Sequence, residues 1–144
     1  MNDLEASKWL AYARSDLKAG WALLRDPEHF PHQVCFLAQQ AAEKALKALL
    51  ISCDIEFPHT HDLDRLREII PLGCRVKAAF PQLYSLSIWA IESRYPSDLP
   101  EVTESDANEA LQMADRVYQV TVEDLLAMTG ENPHPFESGL DSPP

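Results

Sequence analysis

The neighbouring residues Arg94 and Tyr95 carry the side chains of this chain that are best suited to contact a phosphorylated ligand. A guanidinium group can bind a phosphate through two parallel hydrogen bonds, and a tyrosine ring offers a flat surface on which a base can stack. Pro96 follows directly and fixes the direction in which the chain continues. An arginine in the last turn of a helix is also favourable without any ligand. The pair therefore indicates a phosphate or nucleotide contact, with stabilisation of a helix end as the alternative.

A second group of candidate residues, which we call the polar row, consists of Gln40, Glu43, Lys44 and Lys47. Their spacing of i, i+3, i+4 and i+7 places all four on one face of a helix. If this face lies beside Arg94 and Tyr95, two ammonium groups and one guanidinium surround a phosphate pocket, in which Glu43 orients Lys47 when the ligand is absent. The alternative is a solvated helix edge with Gln40–Lys44 and Glu43–Lys47 pairs, each worth roughly a few tenths of a kcal/mol.

Metal and cofactor chemistry has little support in the sequence. The chain contains no P-loop, no GxGxxG, no HExxH and no CxxC pair. His59 and His61 lie in a loop without nearby cysteine or carboxylate ligand spacing, which does not favour a metal site. The odd number of cysteines argues against a disulfide framework, and their positions lack metal-ligand spacing: Cys35, Cys53 and Cys74. We predict no metal, no cofactor and reduced thiols.

The charge of the chain is unevenly distributed. Residues 1–96 hold 12 acidic and 11 basic residues, whereas residues 97–144 hold 11 acidic residues and Arg116 as their single basic one. An acidic last third disfavours binding to duplex DNA over that surface. No stretch is apolar enough for a signal peptide or long enough to cross a bilayer without charges. We expect a cytoplasmic protein that contacts neither membranes nor duplex DNA.

The polar row lies in a segment that predicts a central helix. Residues 33–53 contain no glycine or proline and are rich in good helix formers. Apolar residues occupy almost every angular position around the helix axis apart from the polar row. A helix that is apolar nearly all round belongs in the middle of a bundle.

The rest of the chain also predicts helices. A first helix is expected to end before Asp26 and Pro27, and Thr103 with Asp106 resembles a capping box at the start of the last helix. Between them the pattern predicts a third helix capped by Thr60 or Asp62, a turn over 75–81 and a fourth helix over 82–94. The predicted fold is an all-α, up-and-down antiparallel bundle of about five helices over residues 1–128. Residues 129–144 are expected to form a disordered acidic tail.

Three segments, in this order, resemble the HEPN domain: QAAEKALKALL at 40–50, HTHDL at 59–63 and SRYP at 93–96. The resemblance covers roughly residues 3–126. It implies an up-and-down helical bundle that is usually dimeric. It also implies frequent pairing with a minimal nucleotidyltransferase, in many members as a toxin–antitoxin pair, and some members are metal-independent ribonucleases.

The chain departs from the ribonuclease members at one point. Those members carry a histidine four to six positions after the arginine, whereas no histidine follows Arg94 before His134. Without a nearby imidazole, no general acid or base is evident, and we assign no catalytic residue. The favoured interpretation is a non-catalytic homodimer that binds a nucleotide or phosphorylated ligand beside a nucleotidyltransferase acting in trans. The alternatives are a ribonuclease toxin that uses Arg94 with substituted acid–base groups, and a purely structural partner protein.

Overall fold

Three long helices and four short ones make up the described part of the chain. The computed structural model describes residues 3–92 and 101–129, and no strand occurs within these ranges. The helices are α1 (Asp3–Arg25), α2 (Pro31–Ser52), α3 (Leu63–Glu68), α4 (Arg75–Ala79), α5 (Tyr84–Ser87), α6 (Trp89–Glu92) and α7 (Glu104–Thr129). The predicted all-α fold is confirmed.

Helix α2 is the centre of the fold, as its composition predicts. It packs against both α1 and α7 and also contacts α3, α5 and α6. From Ala41 to Leu50 every residue is buried except Lys44, which is half-buried. Each fully buried leucine in such a segment contributes roughly 1.5–3 kcal/mol of hydrophobic stabilisation. The polar row therefore projects from the most enclosed helix of the molecule.

Helix α1 reaches both other long helices. It ends directly before Asp26 and Pro27, as predicted, and the short link over 26–30 leads into α2, which packs against α1. On its side facing α7, a Cβ atom added to Gly20 would lie only 2.6 Å from Leu111 Cδ2. The missing side chain therefore allows α1 and α7 to approach closely.

Two predicted helix starts are confirmed by their side-chain caps. Asp62 Oδ1 accepts the backbone N–H groups of Asp64 and Arg65 at 3.0 and 3.3 Å, at the start of α3. Before α7, the Thr103 N–H donates to Asp106 Oδ2 at 2.9 Å, and the Asp106 N–H donates to Thr103 Oγ1 at 3.1 Å. These reciprocal bonds form a capping box in which aspartate replaces the usual glutamate.

The predicted turn over 75–81 contains a helix, α4. Its first N–H groups, those of Arg75 and Val76, donate to the two carboxylate oxygens of Asp124 at 2.8 and 2.9 Å. Asp124 belongs to α7 and is buried. A carboxylate at a helix N-terminus satisfies N–H groups that have no partner within the helix. The cap comes from a distant part of the chain, which explains why the local sequence predicts only a turn.

The predicted fourth helix over 82–94 is divided into α5 and α6. The Leu83 N–H donates to Asp64 Oδ1 at 2.6 Å, so that helical structure begins only at Tyr84. Ser87 Oγ accepts the Leu63 N–H at 2.9 Å and donates to the Leu83 carbonyl oxygen at 3.3 Å. Such side-chain bonds compete with the regular helical pattern. They also fasten α5 to the start of α3.

Two predictions concern residues outside the described ranges. One is the disordered tail over 129–144, of which Thr129 is described as the last residue of α7. The other is the position of Arg94 and Tyr95. Within residues 3–92 and 101–129, no helix has the length and apolar character needed to span a bilayer.

Candidate functional site

The polar row divides into a buried pair and two residues nearer the surface. Glu43 and Lys47 are only 4% and 8% exposed, and Lys47 Nζ lies 3.0 Å from Glu43 Oε2. This is the Glu43–Lys47 contact that their spacing predicts. The side chain of Lys44 is 24% exposed, and Gln40 is half-buried. Neighbouring elements therefore cover Glu43 and Lys47, although the spacing along the sequence does not distinguish them from the other two residues of the polar row.

Glu43 is the centre of a hydrogen-bonded group, the Glu43 cluster, which consists of Gln39, Glu43, Lys47 and His61. Gln39 Nε2 donates to Glu43 Oε1 at 3.0 Å and to the His61 carbonyl oxygen at 3.2 Å. His61 Nδ1 lies 2.8 Å from Glu43 Oε1. Burial by itself raises the pKa of the Glu43 carboxyl, but the hydrogen bonds from its three partners outweigh burial and lower that pKa below its usual value. Glu43 is therefore ionised at neutral pH.

Two aromatic rings complete the surroundings of Lys47. Its Nζ lies 5.7 Å from the ring centroid of Trp9 in α1 and 5.7 Å from that of Phe57 in the link between α2 and α3. The negative faces of aromatic rings attract an ammonium group, and the attraction is stronger where water is excluded. The charge of Lys47 is thus balanced by Glu43 and two rings. A ligand would have to open this packing before it could reach Lys47.

Lys44 makes its contact with a different helix. Its Nζ lies 2.5 Å from Asp16 Oδ2 of α1, and both side chains are partly exposed. Gln40, the other half of the predicted Gln40–Lys44 pair, donates its Nε2 to Gln39 Oε1 at 2.7 Å. Lys44 therefore keeps an ammonium group at the surface, held in place by a carboxylate of the neighbouring helix.

An open groove beside Lys44, which we call the α1 groove, has a volume of about 740 Å³. Tyr12 is 63% exposed there. The lining combines two ammonium groups and one carboxylate with two aromatic rings and an aliphatic side chain: Leu4, Glu5, Lys8, Trp9, Tyr12 and Lys44. Lysines bind anions, and exposed aromatic rings stack on flat ligands. The groove therefore has the groups needed for an anionic ligand with a ring system.

The position of the predicted Arg94–Tyr95 pair relative to the polar row stays a prediction. Both residues lie outside the described ranges. Helix α6 ends at Glu92, two positions before Arg94, and it packs against α2, the helix that carries the polar row.

The cysteines are poor candidates for chemistry. Burial, assisted by the charge of Asp106, raises the pKa of Cys35 to about 12. Burial, assisted chiefly by the charge of Asp124, raises the pKa of Cys74 to about 11. Thiols with such pKa values stay protonated and unreactive at neutral pH. Among the residues that the structure describes, no three histidine, cysteine or acidic side chains are arranged to hold a metal ion.

Sequence reasoning missed several residues around the polar row. Lys8, Tyr12 and Asp16 are spaced i, i+4 and i+8 on α1, and this spacing is a signal that could have placed them on one face. Trp9 of α1 also lines the α1 groove. The contact between His61 and Glu43 had no local signal, because 18 positions separate the two residues.

Comparison with known proteins gives one family and one solved structure. Residues 6–125 match the family model described as the HEPN domain. The chain is also similar to the protein TT1696 from Thermus thermophilus, known from a crystal structure, with 28% sequence identity and a TM-score of 0.72. This similarity covers 86% of the present chain and 99% of the other. No curated protein matches the sequence.

Proposed function

Because the chain belongs to the HEPN domain family, we propose that it binds a nucleotide or another phosphorylated ligand and acts beside a nucleotidyltransferase partner. The observation that supports ligand binding best is the α1 groove, where Lys44 and Lys8 lie beside exposed aromatic surface. Its volume of about 740 Å³ is that of a site for one small molecule. A single nucleotide therefore fits this groove better than an extended nucleic acid.

Lys44 is the central phosphate contact in this proposal. Its ammonium group is already paired with Asp16, so a phosphate exchanges one anionic partner of Lys44 for another. Lys8, which is exposed, supplies a second positive charge, and Tyr12 supplies a ring for a base. Arg94 and Tyr95 are proposed to add a guanidinium and a further ring to the same ligand. The other members of the polar row, Gln40, Glu43 and Lys47, lie on the same face of α2 as Lys44, and Glu43 and Lys47 are buried there.

Titration calorimetry with a panel of nucleotides tests the ligand. Loss of one charge-assisted contact costs roughly 1.5–3 kcal/mol, so Lys44→Ala and Arg94→Ala should each weaken binding by about ten- to a hundred-fold. Asp16→Asn removes the competing carboxylate and should strengthen binding. Lys18→Ala is the matched control, because Lys18 is an exposed lysine of α1 that does not line the groove. Absence of binding at millimolar nucleotide, or an unchanged affinity in Lys44→Ala, contradicts the proposal.

The chain is also proposed to form a homodimer and to meet its nucleotidyltransferase partner in trans, in a toxin–antitoxin type of pair. The observation behind the homodimer proposal is the presence of large apolar side chains in contact with solvent, such as Phe30 at 63% and Leu72 at 91% exposure. Sedimentation that shows only monomer at tens of micromolar argues against the dimer, and co-purification with the product of the adjacent reading frame tests the partner. Degradation of RNA by the purified chain would favour the ribonuclease alternative, and a partner complex without ligand binding would favour the structural one.

A further inference from the structure

A continuous series of contacts connects an exposed imidazole with the wall of the α1 groove. The side chain of His61 is 51% exposed, and its Nδ1 lies 2.8 Å from Glu43 Oε1. The other carboxylate oxygen of Glu43 lies 3.0 Å from Lys47 Nζ. Lys47 Nζ in turn lies 5.7 Å from the ring of Trp9, which lines the groove. A change of charge at His61 is therefore only two side chains away from a groove residue.

The charges along this series cancel only when His61 is neutral. Glu43 and Lys47 then carry one negative and one positive charge, and protonation of His61 adds a second positive charge beside Glu43. Asp62 and Asp64 keep their negative charges while their carboxylates accept backbone N–H groups of Asp64, Arg65 and Leu83, so they contribute the same charge whether His61 is neutral or protonated. Other titratable or charged groups lie on the same elements. Glu5, Lys8 and Lys44 line the α1 groove, Asp16 of α1 pairs with Lys44, and Asp54, Glu56 and His59 belong to the loop that carries His61.

We propose that protonation of His61 increases the affinity of the α1 groove for its anionic ligand, so that the site binds more tightly when this imidazole carries a positive charge. This inference rests on the function proposed above and names its regulation. The positive charge of a protonated His61 is attracted to the Glu43 carboxylate. The negative charge of Glu43 then neutralises Lys47 less completely. The potential at the groove consequently becomes more positive.

Gln39 makes this an electrostatic effect rather than an opening of the loop. Its Nε2 bonds both Glu43 Oε1 and the backbone carbonyl oxygen of His61, and neither bond depends on the charge of the imidazole. The loop therefore stays in place at either protonation state. The expected change is correspondingly modest, because the added charge acts across a partly solvated groove.

Sulfate is a suitable probe, because it keeps two negative charges over the relevant range while a phosphate monoester itself titrates near pH 6. Its affinity for the full chain, measured by calorimetry, should rise about two- to four-fold from about pH 8 to about pH 5.5. The rise should disappear in His61→Gln and persist in His59→Gln, a matched change of an exposed histidine two positions away. An equal rise in wild type and His61→Gln overturns the proposal.

A measurement without ligand separates this proposal from the function on which it rests. The indole N–H resonance of Trp9, assigned with Trp9→Phe, should shift with the protonation of His61 and should lose this shift in His61→Gln. If sulfate does not bind but the Trp9 resonance still shifts with His61, anion binding by the α1 groove is refuted, whereas the electrostatic coupling between His61 and Trp9 is retained. If the Trp9 resonance does not change with the protonation of His61, the coupling between His61 and Trp9 is refuted, whether or not the groove binds an anion.

Discussion

Lys44 and Lys47 lie on the same face of α2 and differ sharply in their surroundings. The side chain of Lys47 is 10% exposed and is enclosed by Glu43 and the rings of Trp9 and Phe57. Lys44 has a side chain that is 24% exposed and contacts one carboxylate of a neighbouring helix, Asp16. The difference arises from the elements that pack over each residue rather than from its position in the row. A lysine on a polar helix face becomes structural or available for a ligand according to what its neighbours cover.

This comparison has an energetic consequence that mutations can measure. Removing one partner of a buried ion pair leaves the other charge in a poorly solvated place, which is costly. Removing one partner of a partly exposed pair lets the other charge reach water at a smaller cost. The buried pair should therefore contribute far more to stability than the pair of Lys44 and Asp16.

The largest expected effect is that of Glu43→Ala. Because it leaves the Lys47 ammonium buried beside two rings without a carboxylate, we expect the free energy of unfolding to fall by about 3–5 kcal/mol. Urea denaturation followed by circular dichroism measures this loss. The substitution also removes the acceptor for His61 and Gln39, which adds in the same direction.

The control for this prediction removes both charges. The double variant Glu43→Leu with Lys47→Met keeps the approximate volume and leaves no unpaired charge, so it should be more stable than Glu43→Ala. A loss below about 1 kcal/mol in Glu43→Ala would mean that Lys47 reaches water in solution, and the contrast with Lys44 would fail.

The long helices could be predicted from sequence because their signals are local. The all-round apolar pattern of 33–53 identified α2, and the Thr103–Asp106 capping box identified the start of α7. The short helices could not be predicted in the same way. Helix α4 depends on a cap by Asp124, 49 residues from Arg75, and helical structure after Gln82 is delayed by a bond to a side chain of α3.

The candidate site follows the same rule. The i, i+4 spacing predicted the Glu43–Lys47 contact, which is present. The burial of that pair depends on Trp9 of α1 and Phe57 of the next loop, which the spacing along α2 does not encode. The pairing of Lys44 with Asp16 likewise requires knowledge of how α1 lies against α2. Spacing within one helix therefore predicts contacts, whereas availability to a ligand depends on tertiary packing.

Lowering the pH is expected to reduce the stability of the folded chain by a smaller amount, through protonation of Glu43. The pKa of Glu43 in the folded chain lies below its usual value, because the hydrogen bonds that it accepts outweigh its burial. A lowered folded pKa contributes stability that is present above the unfolded pKa, about 4.3 for glutamate, and is lost as the pH falls through the folded value. The free energy of unfolding should therefore decline in acid more steeply for wild type than for Glu43→Gln. Denaturant titrations from about pH 7 to about pH 3 measure the difference, and parallel profiles would contradict it.

The smallest expected effect on stability is that of the Lys44–Asp16 pair. Ion pairs that water reaches contribute about 0–1 kcal/mol. Lys44→Ala and Asp16→Asn should therefore each change the free energy of unfolding by about this amount, and a double-mutant cycle should give a coupling of similar size. Lys44→Ala should nevertheless abolish the stabilisation that added sulfate gives to the wild type, because a ligand that binds only the folded state stabilises it by mass action. A coupling of several kcal/mol would place Lys44 in the same structural class as Lys47. A small coupling with intact stabilisation by sulfate would move the anion site away from Lys44.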